Sequence, residues 1–281
     1  MKFFMPRKKY VPISITGSWC ALNCKFCKGK YLKHMIHVTP ETARHVLREL
    51  YSAGARGVLV SGGFRPDGSL PVEPYVEVLR EVKKELGLVM SAHLGLVKSR
   101  ELLSELKGVI DVVDYEFTLS SFIASEVRGL KPSDYTKSLE LLVESGLRVV
   151  PHIFAWHPEQ TASALKSELR VVEDYGLNEA TLLIYIDPLG ITNPDALSKK
   201  VIELIEAARS YYSGRLYLGC MRPPAIKRFV DPVVVEKGLV ERVANPYYKL
   251  LKPGEAAVYD ACCSLPDELL SEFVSEPSSE Q

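Results

Sequence analysis

What most constrains this chain is a repeated alternation. Short, nearly continuous apolar runs rich in β-branched residues are followed, again and again, by runs with a helical period. Strand-like runs fall at 11–16 (VPISIT), 57–61 (GVLVS), 88–94 (LVMSAHL), 110–117 (IDVVDYEF), 147–155 (LRVVPHIFA), 179–186 (EATLLIYI) and 215–219 (RLYLG), with a weak one near 239–244. Helical periods fall at 40–53, 72–86, 98–107, 133–145, 160–175 and 194–212. Strands that are apolar throughout, rather than alternating, are expected where helices cover a parallel sheet. Strand–helix alternation implies right-handed βαβ units. Seven or eight such units predict a (β/α)8-type or slightly open TIM-like barrel over residues 1–245. Residues 246–281 are expected to be a C-terminal extension that folds back over the barrel mouth and frays at its polar end, SEPSSEQ.

Composition narrows the function. The 281 residues carry 35 Lys+Arg against 35 Asp+Glu, so net charge is zero, and 47% are hydrophobic. That balance argues against binding nucleic acid or an anionic membrane, both of which call for excess positive charge. No apolar run approaches the ~20 residues of a membrane helix. The apolar stretch in MKFFMPRKKY is too short for a signal peptide, so a cytoplasmic location is expected. The chain has no G-x-G-x-x-G after the strand at 11–16, no P-loop, no G-x-S-x-G and no H-E-x-x-H.

A chain of this size needs no disulfide or metal to fold, which makes its six cysteines informative. Three form C-x3-C-x2-C directly after the strand at 11–16: Cys20, Cys24 and Cys27. Barrels of this class place their chemistry at the C-terminal ends of the strands, where this loop falls. Three thiolates are one ligand short of a closed zinc or iron–sulfur site. Two completions stay open: a zinc site closed by His34 or His37, or an iron–sulfur cluster with one iron left free for a substrate or cofactor.

This loop, with aromatic Phe26 before the last cysteine, resembles the signature of the radical S-adenosylmethionine (radical SAM) superfamily. The resemblance implies that Cys20, Cys24 and Cys27 hold a 4Fe-4S cluster whose fourth iron binds S-adenosylmethionine. Reductive cleavage of that cofactor would yield a 5′-deoxyadenosyl radical, with ferredoxin or flavodoxin as electron donor. Ser61-Gly62-Gly63 matches the family's glycine station for the methionine amine, although Phe64 stands where an acidic residue is usual. Glu116 matches the ribose position, and Ile153 is the candidate for packing on adenine. His93 and His152 both sit near strand ends, and His152 and Arg222 are candidate substrate contacts.

The order of elements further resembles the biotin synthase and lipoyl synthase branch, above all its archaeal biotin-synthase-related members. The match rests on the cysteine triplet, VDYEFT followed by the Tyr135 helix, ESGLRVVPHIF, and Arg222. It implies sulfur insertion into an octanoyl chain on a lysine of a lipoyl-domain-type protein, with a partner radical SAM subunit. The chain departs from biotin synthase in having no cysteine between 28 and 219. It also lacks the N-terminal cysteine extension of lipoyl synthase. A second cluster would therefore fall to Cys220, Cys262 and Cys263, the last two adjacent. The other readings are a single-cluster mutase or C–C ligase without sulfur donation, and a non-catalytic zinc- or cluster-binding subunit.

Overall fold

The computed structural model describes residues 1–252 and 256–275, so the expected fraying of the last residues lies outside the described region. The chain builds β1 (Lys2–Phe4), β2 (Tyr10–Ser14), β3 (Ile36–His37), α1 (Pro40–Ser52), β4 (Gly57–Ser61) and α2 (Val76–Leu86). Next come β5 (Val89–Ala92), α3 (Arg100–Leu106), β6 (Val112–Glu116), α4 (Pro132–Ser145) and β7 (Val149–Trp156). The remaining elements are α5 (Ala162–Asp174), β8 (Glu179–Ile184), α6 (Pro194–Tyr211), β9 (Arg215–Leu218), α7 (Pro224–Glu236), β10 (Arg242–Ala244) and β11 (Ala257–Tyr259). Helix starts are marked by polar caps: the side chains of Thr39, Ser99, Thr161 and Asn193 each accept a backbone N–H of the following first turn.

All pairings in the eleven-stranded sheet are parallel, in the order β11-β1-β10-β9-β8-β7-β6-β5-β4-β2-β3. The sheet curls into an open half-barrel with β3 and β11 at its edges. One face of each strand meets the helices in the main apolar core, which includes Ile13, Val58, Val60, Val113, Tyr115, Ile153, Leu182 and Leu218. The alternate residues face the barrel interior.

Three features differ from the sequence expectation. The run at 11–16 is preceded by β1, which pairs with β10 and β11 from the far end of the chain. Helix α7, absent from the sequence reading, contains Pro232, a residue that reads as a helix breaker because it lacks an N–H and crowds the preceding turn. The described residues 260–275 of the C-terminal segment lie not over the mouth but at the opposite end of the barrel, against Tyr10, Val112 and Val150 near the starts of β2, β6 and β7.

There Ala261, Cys263, Leu265, Leu270 and Phe273 form an apolar floor with Phe4, Tyr10, Val112, Val150 and Tyr217. Asp260 accepts the backbone N–H groups of Arg7, Lys8 and Lys9 at 2.5, 2.9 and 2.8 Å. Asp267 pairs with Lys2 at 2.7 Å, Arg215 at 3.1 Å and Arg242. The segment's large apolar side chains need apolar partners, which the strand starts supply. Among the described residues, no helix is long and apolar enough to cross a membrane.

Candidate active site

The cysteine loop leaves β2 at the mouth and is clamped on two sides. Ala21 N–H donates to the Phe64 carbonyl at 2.8 Å and Phe64 N–H to Cys20 Sγ at 3.4 Å, tying the loop to the segment after β4. Lys25 N–H donates to the Val127 carbonyl at 3.4 Å, tying it to a π-helical turn at Phe122–Val127. Turn bonds from Cys27 and Lys28 to the Cys24 carbonyl, at 3.0 and 2.9 Å, compact it.

The glycine pair is there for steric reasons. A Cβ on Gly63 would lie 1.8 Å from the Trp19 carbonyl oxygen and 2.6 Å from Cys20 Cα. A Cβ on Gly62 would lie 2.9 Å from Thr16 Oγ1, the atom that accepts Gly63 N–H at 2.6 Å. The glycines thus let the strand end press against the cysteine loop. Ser61 Oγ meets His93 Nδ1 at 3.3 Å.

The three thiols lie near enough to sense one another. Burial pushes the Cys24 thiol up, the Arg128 charge opposes the rise, and Glu116, Cys20 and Cys27 add to it. Cys20 and Cys27 are part-exposed, and Cys24 is buried. Phe26 is buried beneath the Arg128 guanidinium, 5.5 Å from its ring centroid, and meets Tyr185 edge-on at 5.9 Å.

Arg128, which sequence reasoning missed, organises this corner. It pairs with Glu116, and its Nη1 lies 3.7 Å from Cys24 Sγ. Glu116 Oε1 is buried without a partner, and burial raises that carboxyl above its usual range against the pull of Arg128. The only sequence signal was an arginine lying between a strand end and a helix start. Deeper in the interior, Asp114 accepts Ser91 Oγ at 2.8 Å and Ser264 Oγ, and Ser91 in turn accepts the Tyr10 hydroxyl at 2.7 Å.

The structure redistributes the other candidates. His152 lines the interior opposite Glu116, with its ring 6.2 Å from that of His93. Ile153, one residue on, is buried in the helix-packed core, so it does not face an interior ligand. Arg222 is also excluded as a substrate contact. Its Nε and Nη2 donate to Asp231 at 3.0 and 2.8 Å, its other donors meet the Gly219 and Asn245 carbonyls, and its side chain is sealed from solvent. A guanidinium so engaged ties the end of β9 to α7.

The second cysteine group does not converge as a cluster site. Cys263 is buried in the apolar floor. Cys262 points the other way, 3.9 Å from Asp114 Oδ2 and 3.1 Å from Ser264 Oγ. Cys220 is reachable by solvent but surrounded by protein, and burial, with Cys262 next, pushes its thiol up. Contact with Cys263, burial and the Asp114 charge push Cys262 well up. Among the described residues, no three His, Cys, Asp or Glu side chains are gathered for a single metal ion.

The site at the mouth fits a 4Fe-4S cluster: three thiols on one short loop, a glycine strand end pressed against it, and a buried acceptor unpartnered beside it. The comparisons agree. Residues 14–171 match the Radical SAM superfamily. No curated protein matches. Among solved structures, the chain resembles SuiB of Streptococcus suis with a TM-score of 0.60 at 14% identity, covering 80% of this chain and 51% of that one. Methylornithine synthase (PylB) gives a TM-score of 0.55 at 15% identity, covering 86% and 71%. The FeFe-hydrogenase maturase HydG from Carboxydothermus hydrogenoformans gives 0.58 at 13% identity, covering 86% and 58%. At these identities the likeness is one of fold, and the chain spans about half the length of SuiB. The cysteine loop after β2, the curled parallel sheet and a family match over more than half its length make this chain a member of the radical SAM superfamily.

Proposed function

We propose that the chain takes a hydrogen atom from an unactivated C–H bond of a substrate held in the barrel interior, and that the resulting carbon centre receives sulfur in a lipoyl synthase-like reaction. Cys20, Cys24 and Cys27 hold the cluster, the Ser61-Gly62-Gly63 strand end receives the methionine moiety, and the free Glu116 oxygen receives the ribose. When bound, the cluster and S-adenosylmethionine supply the 5′-deoxyadenosyl radical. The curled sheet around the interior keeps water from it.

Sulfur insertion draws its support from one arrangement: Cys220 is exposed just past β9, and Cys262 and Asp114 lie near enough for their charges to add to the upward push of burial on its thiol. With Cys263 committed to the floor, Cys220 and Cys262 are the thiols available to carry sulfane sulfur, received as a persulfide from a cysteine desulfurase. The carbon radical takes the outer sulfur as the S–S bond breaks, and the cysteinyl sulfur radical left behind is reduced by the electron carrier. On this reading the substrate is an octanoyl-lysyl carrier protein, a partner radical SAM subunit takes part, and the reductant is a ferredoxin or flavodoxin.

A second reading keeps the single cluster and drops sulfur donation, as in a mutase or C–C ligase. It is favoured by the polar interior of His93, His152 and Asp114, which suits a small polar substrate better than an eight-carbon chain. Anaerobic assay with an octanoylated lipoyl domain, after loading the reconstituted chain with labelled sulfane sulfur by a cysteine desulfurase acting on sulfur-labelled cysteine, separates the two. Sulfur insertion predicts labelled product in the wild type, and 5′-deoxyadenosine without labelled product in Cys220→Ala. 5′-Deoxyadenosine without labelled product in the wild type would return the function to the second reading.

A further inference from the structure

Charge is balanced over the whole chain but not around the cluster loop. Residues 1–40 contain Lys2, Arg7, Lys8, Lys9, Lys25, Lys28, Lys30 and Lys33, and no aspartate or glutamate. Two of these lysines are engaged at the floor: Lys2 pairs with Asp267 at 2.7 Å, and Lys9 Nζ donates to the Glu272 and Val274 carbonyls at 3.1 and 3.0 Å. Lys25, Lys28, Lys30 and Lys33 are different. They lie on the cysteine loop and the 3-10 turn after it (Lys30–His34), all are exposed, and none enters an ion pair among the described residues.

Two large exposed aromatics lie on the same stretch of chain. Trp19 is 52% exposed and Tyr31 41% exposed, with Lys30 Nζ 5.0 Å from the Tyr31 ring centroid. Aromatic side chains are enriched where surfaces are built to be covered. The same loop carries the part-exposed Cys20 and Cys27, so a cluster held by these thiols would be approached from this side.

We propose that this face is the docking surface for a small acidic one-electron carrier protein, the lysines steering it and Trp19 and Tyr31 seating it. The inference rests on the cluster assignment to Cys20, Cys24 and Cys27. The cluster must receive an electron from outside. Electron-transfer partners make small, short-lived interfaces whose association is governed by complementary charge. An unpaired basic patch around the cluster loop of a protein with no net charge overall supplies that charge.

The test is stopped-flow reduction of the reconstituted enzyme by photoreduced flavodoxin and by reduced plant-type ferredoxin, with dithionite as a small-molecule control. The Lys25→Glu/Lys28→Glu/Lys30→Glu/Lys33→Glu variant should react with both carriers at least tenfold more slowly and lose most of the salt dependence of the wild-type rate. Its iron content and dithionite rate should be unchanged. The four-fold Lys→Gln variant, milder for folding, should fall between. Wild-type carrier rates in the variants would overturn the proposal. So would slowing that dithionite shares, which would assign the lysines to the cluster's integrity. Lost binding of duplex DNA or of a lipoyl domain with carrier rates intact would overturn it in favour of that ligand. A wild type that binds no iron overturns the cluster assignment as well, and is distinguished by that readout alone.

Discussion

Arg128 Nη1 stands 3.7 Å from Cys24 Sγ, so the one buried thiol of the cluster loop has a fixed cation beside it. The same guanidinium neutralises Glu116, whose other oxygen is unpartnered. Removing one partner of such a pair leaves a buried charge alone, which typically costs about 3–5 kcal/mol. Arg128→Gln should therefore destabilise the apo protein by about that amount in denaturant titration. Glu116→Gln/Arg128→Gln should recover most of it. A double variant no more stable than the single one would contradict this account of the corner.

Gly63→Ala tests the contact between the β4 end and the cysteine loop. The added methyl would lie 1.8 Å from the Trp19 carbonyl oxygen and 2.6 Å from Cys20 Cα, so the loop must move. Disturbing the shell around metal ligands commonly weakens metal binding about 10- to 100-fold. Iron retention against a competing chelator should fall in that range, with the circular dichroism of the fold preserved. Wild-type retention would mean that the loop yields at no cost to the cluster.

Asp260→Ala tests the barrel floor. The carboxylate holds the N–H groups of Arg7, Lys8 and Lys9 just before β2. Losing an acceptor of this kind costs about 1–3 kcal/mol for each buried donor left unpaired, and part-burial puts the sum toward the low end. A loss of about 2–4 kcal/mol is expected, with faster hydrogen exchange in β1 and β11. Unaltered exchange there would show that the floor is held by its apolar contacts alone.

His157 makes a pH-dependent term with a definite sign. It is buried, stacks on Phe122 at 5.4 Å, accepts Glu159 N–H at Nδ1, and leaves Nε2 without a partner. Burial lowers its pKa from 6.5 to about 4. Between those values the unfolded chain binds more protons than the folded one, so stability is full above pH 6.5 and is lost as pH falls toward 4. The shift corresponds to about 3 kcal/mol. Glu168, raised to about 6 by burial, acts in the opposite sense in part of the window. The comparison that isolates the histidine is wild type against His157→Phe, which keeps the stacking. Their stability difference should shift by about 3 kcal/mol from pH 6.5 to 4 in favour of the variant. A constant difference would contradict the burial argument.

The barrel was legible because parallel strands under helices are apolar on both faces, and runs such as GVLVS and EATLLIYI carry that pattern within themselves. The cysteine loop was legible because its ligands are close in sequence. What escaped depends on contacts between distant residues. β1 is three residues long and exists because β10 and β11 flank it. The Pro232 of α7 hides a helix that packing against α6 maintains. Ile153 and His152 differ by one residue, and only strand register tells which faces the interior. Arg222 looked free until Asp231, nine residues on, was seen to saturate it.

The central claim is that Cys20, Cys24 and Cys27 carry the radical-generating cluster. Its most direct test is anaerobic reconstitution of the wild type and the Cys20→Ala/Cys24→Ala/Cys27→Ala variant, with iron, sulfide and 5′-deoxyadenosine measured on each. The variant should hold about four fewer irons per chain than the wild type, as loss of one 4Fe-4S cluster requires, and should form no 5′-deoxyadenosine under reducing conditions. Equal iron in both proteins, or 5′-deoxyadenosine formed by the variant, would contradict it.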